Sequence, residues 1–122
     1  MELTSRRMDG VVVVDVIGEV IGSTDEEDVL NSTMSNILSR GENLVAMNLD
    51  SILSLDESAM RMLLRVCGSV LSNGGRMVFV RSIAKATIER EPSPDKDRLV
   101  FESESSAIEA LKKRSTEGQE KK

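Results

Sequence analysis

Residues 48–64 read NLDSILSLDESAMRMLL. The apolar run through Ile52, Leu53 and Leu55 reads as a strand that stops at Asp56. Glu57, Ser58 and Ala59 follow, and then Met60, Leu63, Leu64, Cys67 and Leu71 recur at helical spacing. A buried strand therefore runs straight into two carboxylates and a hydroxyl at the mouth of a helix. Asp56 stands in the N-cap position, where its carboxylate accepts a backbone N–H two or three residues on. Glu57, on the first turn, suits the helix dipole. An acid–base pair is the weaker reading, because residues adjacent in sequence at a helix start do not face each other. No nucleophile–base–orienter set stands elsewhere in the chain, so no catalytic residues are expected.

Upstream, Val11 to Val20 (VVVVDVIGEV) is rich in β-branched residues and reads as a strand. Leu3 to Met8 reads as a shorter strand paired to it through an Asp9-Gly10 turn. The next segment, GSTDEEDVLNSTMSNILSRG, opens a helix with two overlapping capping-box spacings, Ser23 with Glu26 and Thr24 with Glu27. Leu30, Met34, Ile37 and Leu38 mark its apolar face, and Gly41 closes it. Leu44 to Leu55 is the next strand, and Asp56 to about Ser72 the next helix, ended by Asn73-Gly74-Gly75.

Downstream, Arg76 to Val80 (RMVFV) and Leu99 to Phe101 read as strands. Ala84 to Glu91 reads as a short helix cut off by Pro92 and Pro94. Ser105 to Arg114 reads as a last helix, and residues 115–122 as a disordered polar tail. Strands alternating with helices predict an α/β domain over residues 1–114. Its sheet should be mainly parallel, with four to five strands and about four helices. In such a sheet, partners and ligands meet the loops at the carboxyl ends of the strands. The loop from Gly18 to Thr24 and the loop from Leu55 to Ser58 should lie there together.

The 122 residues suit one domain, and 39% hydrophobic with 30% charged residues suits a globular chain. The net charge of −5 argues against nucleic acid, which needs a basic face. Lys112, Lys113 and Arg114 form one tight basic group, read as a solvated helix end. The aromatics are Phe79 and Phe101 alone, so base-stacking platforms are not expected. The apolar runs are far shorter than a membrane span, and MELTSRRMDG has no secretory apolar region, so a cytoplasmic protein is expected. The chain has no histidine, which removes Ser-His-Asp and Cys-His catalysis and His-ligated zinc. A single cysteine, Cys67, can form neither an internal disulfide nor a thiolate zinc site. Its place on an apolar helix face makes it a small core residue, with a reactive thiol as the alternative. Asn73-Gly74-Gly75 runs from a helix into a strand and has no P-loop lysine, so it is not a phosphate cradle. No cofactor or metal is expected.

Several short runs, taken in order, resemble the STAS domain of anti-sigma factor antagonists over about Leu3 to Arg114. Gly18-Glu19-Val20 is similar to the family's strand-ending Gly-Glu-Leu. The family's N-L-x6-D-S-S-G run appears as Asn48-Leu49, six residues, then Asp56-Glu57-Ser58-Ala59. Gly74-Gly75 leading into Arg76 to Val80 resembles its glycine turn and apolar strand. Glu104 to Leu111 (ESSAIEAL) resembles its last helix.

The resemblance implies a non-enzymatic regulatory module that docks an anti-sigma factor serine kinase or another signalling protein in partner switching. It implies a partner surface around Ser23, Thr24, Asp56, Glu57, Ser58, Met60 and Arg61, with Met60 equally suited to the core. The family's phosphorylated serine is the first after the aspartate, and here that position is Glu57. Either Glu57 mimics the phosphorylated state, which is the favoured reading, or Ser58 has become the modified residue, or the domain only docks. A STAS-type ligand or nucleotide sensor and a scaffold role are the alternatives, and a homodimer is compatible with a lone STAS domain.

Overall fold

A computed structural model of the chain describes residues 1–81 and 100–120, with the side chains of Ser54 and residues 114–120 left aside. Strands β1 (Glu2–Met8), β2 (Val11–Val20), β3 (Leu44–Leu55), β4 (Arg76–Val80) and β5 (Val100–Phe101) form one sheet in the order β1-β2-β3-β4-β5. The helices are α1 (Thr24–Ser39), α2 (Glu57–Ser72) and α3 (Glu104–Glu120). The sheet is mixed: β1 runs antiparallel to β2, and the three other pairings are parallel.

Of the four helices expected, three stand among the described residues. The fourth, over Ala84 to Glu91 and its Pro92/Pro94 stop, falls outside them, as does Leu99 at the start of β5. Helix α3 begins at Glu104 and continues through Glu120, whereas the sequence reading ends it at Arg114 with a disordered tail beyond. Once nucleated, a helix gains one backbone bond for each residue added, so polar residues can prolong it without an apolar stripe.

Local chemistry explains the connections. Asp9 and Gly10 take φ of +54° and +81°, the pair of left-handed residues that a two-residue hairpin turn requires. Helix α1 starts on the Ser23–Glu26 capping box, not on the overlapping Thr24–Glu27 spacing. Asp56 caps α2, and Ser103 supplies its hydroxyl to the Ser106 amide at the start of α3.

The valine run of β2 is buried on both faces, as the central strand of a covered sheet should be. Val12, Val14 and Val16 face the main core under α1 and α2, with Leu30, Met47 and Phe79. Val11 and Val13 face a smaller core under α3, with Ala107 and Leu111. The two-residue period of the strand divides the same run between the two layers. Cys67 is buried in the main core, and burial pushes its thiol up to about 11. It stays a protonated, inert thiol at neutral pH.

On the α3 side, four elements meet in a polar network. Arg6 of β1 grips both carboxylate oxygens of Asp15 at 2.8 and 2.9 Å and also pairs with Glu104 of α3. Asn48 of β3 donates to Asp15 and to Glu104, each at 3.0 Å. The hydrogen bond from Arg6 outweighs desolvation and holds the Asp15 carboxyl below its ordinary value.

Candidate partner-docking site

The C-terminal ends of β2 and β3 bring the two expected loops into contact. Gly22, in the β2–α1 loop, takes φ of +78° and lies against Ser58. A Cβ built on Gly22 would stand 2.7 Å from both the carbonyl oxygen and the hydroxyl of Ser58. Glu26 fixes the Gly22 side of this contact. Its Oε1 accepts from the backbone N–H of Ile21 at 3.0 Å, Gly22 at 2.8 Å and Ser23 at 3.3 Å. One carboxylate at the positive end of α1 thus gathers three successive amides and freezes the loop.

Asp56 fixes the other side. Its Oδ1 accepts from the Ala59 N–H at 2.8 Å, so the capping role expected from sequence is realised. Asp56, Glu57 and Ser58 are all exposed and form a ledge on the first turn of α2. The Glu57 side chain is 67% exposed and ion-pairs with Arg61 one turn along the helix. The charge opposite Glu57 is therefore carried by the same helix face. Ser23 is half-buried at its cap, and Thr24 is exposed beside it.

Met60 is corrected to the core: it is wholly buried among Val20, Leu63 and neighbouring side chains, because the helical period turns it inward between exposed Glu57 and Arg61. It offers no surface to a partner.

Three features were not foreseen. Ile21, in the β2–α1 loop, and Leu53, near the end of β3, stand 58% and 81% exposed. Gly22 makes the close approach to Ser58, for which a lone loop glycine was the only trace in the sequence. Arg81 is 7% exposed and sends its guanidinium to the backbone of β3. Its single trace was an arginine directly after an apolar strand.

Among the described residues no group of three or more His, Cys, Asp or Glu side chains is arranged to hold a metal ion. No described helix is long and apolar enough to cross a membrane.

No family model matches the sequence, and no curated protein matches it either. Solved structures do match. TM1081 of Thermotoga maritima superposes with a TM-score of 0.70 at 17% identity, covering 92% of this chain and 90% of that one. An anti-sigma factor antagonist from Mycobacterium paratuberculosis gives a TM-score of 0.68 at 17% identity, covering 91% and 93%. The anti-sigma factor antagonist SpoIIAA of Bacillus, in its unphosphorylated form, gives 0.62 at 14% identity, covering 91% and 98%. The chain has the STAS fold of these anti-sigma factor antagonists, over nearly the whole length of each.

Proposed function

We propose that this chain is a non-enzymatic, cytoplasmic binding module of the anti-sigma factor antagonist type, acting in a bacterial partner-switching pathway that regulates transcription. Its Asp56–Ser58 ledge docks an anti-sigma factor serine kinase or a related signalling protein. Glu57 takes the place of the serine that relatives phosphorylate. The observation that carries this reading is the ledge itself: an exposed carboxylate on the first turn of α2, braced from behind by Gly22 and ion-paired to Arg61. A phosphoserine there would add about −1.5 to −2 charges, against about −1 for glutamate. A fixed carboxylate therefore holds the docking surface near one side of the switch at all times. Ile21 and Leu53 supply the apolar contact that a stable interface needs around a charged centre.

Capture from the native cytoplasm tests this. Wild-type bait should recover an ATP-binding anti-sigma factor kinase, and Glu57→Lys bait should lose it through like-charge and shape mismatch at the ledge. Recovery of unrelated proteins alone, or equal recovery of the kinase by both baits, counts against the reading.

A further inference from the structure

Strand β3 outlasts its neighbour. Pairing between β3 and β4 ends at Asn48↔Val80, yet among the described residues β3 continues to Leu55 with β2 alone beside it. That extension is irregular. The step from Asp15 to Ile17 on β2 faces the longer step from Asn48 to Ser51 on β3, and Gly18 to Val20 faces Ile52 to Leu55. Each is an extra residue on the β3 side, a bulge that bends the strand and leaves backbone groups unpaired. Carbonyls alternate along a regular strand, so those of Leu49 and Ile52, an odd number of residues apart, would point to opposite edges. The extra residue between Asn48 and Ser51 lets both reach one side chain.

That side chain is Arg81. Its Nη1 donates to the carbonyl of Leu49 and, at 3.3 Å, to that of Ile52. Its own backbone N–H is tied to the carbonyl of Phe101 in β5 at 3.0 Å. The residue is 7% exposed, and its Nε has no hydrogen-bond partner among the described residues. A buried cation whose Nη1 meets two backbone carbonyls while its Nε stays unpartnered among the described residues is costly to keep for packing alone. It meets carbonyls of β3 just past the last β3–β4 pairing. From there the chain runs directly into Asp56, Glu57 and Ser58.

We propose that Arg81 is the positioning residue of the Asp56–Ser58 ledge. It clamps the bulged end of β3 so that the first turn of α2 is held against Gly22. Its functional meaning rests on the docking reading above, but its test needs no partner, so either can fail without the other. Amide hydrogen exchange, read residue by residue, is the measurement. In Arg81→Met, exchange over residues 50–58 should quicken by about tenfold or more relative to Val12–Val14, and the Gly22 and Ser58 amide resonances should shift. Arg81→Lys keeps the charge on a single ammonium without the fork, so it should show the same pattern at smaller size, and it serves if the Met variant does not fold. Exchange that quickens evenly through the sheet, or that leaves residues 50–58 unchanged in the Lys variant, overturns the proposal.

Discussion

Gly22 lies in the β2–α1 loop and Ser58 on the first turn of α2, yet they touch so closely that no side chain fits between them. The β2–α1 loop and the start of α2 thereby become one rigid surface, with Glu26 bracing one side and Asp56 the other. Gly22→Ala meets two obstacles at once, a left-handed φ of +78° and a backbone carbonyl 2.7 Å away. Strain of this kind costs about 1–3 kcal/mol. Thermal unfolding of the alanine variant should begin about 4 °C lower or more. An unchanged midpoint means that the loops can separate freely, and the shared surface then loses its basis.

Asp56→Ala removes the cap of α2 and should cost about 0.5–2 kcal/mol in urea unfolding. Asp56→Asn keeps an oxygen acceptor for the Ala59 N–H and should recover most of that loss. Failure of the asparagine to rescue would show that the carboxylate charge at the ledge matters beyond the hydrogen bond.

The Asp15 carboxyl carries a pH signature. Its folded-state pKa lies below the unfolded one, chiefly through the hydrogen bond from Arg6, with Asn48 and Thr4 also favouring the charged form. The unfolded chain therefore takes up the proton first as the pH falls. The stabilisation is complete above the unfolded value and is lost as pH drops through the folded one. Asp15→Asn should weaken the protein modestly at pH 7 and less at about pH 3, where the unfolded chain already holds the proton. Urea midpoints of both proteins at the two pH values check this. Arg6 is 42% exposed, so solvent screening keeps the effect modest. A gap between the proteins that does not narrow in acid assigns the Arg6–Asp15 pair no role in stability.

Local chemistry in the chain was legible as local structure. Asp9-Gly10 announced the hairpin, Ser23 and Asp56 announced helix starts, and the valine run announced a strand, whose burial on both faces only the structure shows. The meeting of the β2–α1 and β3–α2 loops followed from topology, since parallel crossovers place both at one end of the sheet. What stayed hidden depends on contacts distant in sequence. Arg6, Asp15, Asn48 and Glu104 come from four separate elements, and no periodicity connects them. Arg81 answers carbonyls that became unpaired only because β3 bulges and outruns β4. Met60 fell between two readings because a helix position beside a polar cap can turn either way until packing decides.

Glu57→Ser separates the readings of the ledge. On the proposed reading, the substitution puts a hydroxyl at the position of the switch, one turn from Arg61, whose guanidinium now pairs with Glu57. A phosphoserine there gains both that cation and the positive end of α2, so the modified state would be stabilised locally. After incubation with a cognate anti-sigma factor kinase and ATP, mass spectrometry should find phosphate on residue 57 of the variant and none on wild type. Phosphate on Ser58 of the wild-type chain would mean that the switch has moved one residue along, against the close wall of Gly22. A variant left unmodified would mean that the kinase no longer recognises this surface. Glu57 would then be part of a docking site for a different partner, because a mimic is useful only where the reader of the phosphate is still present.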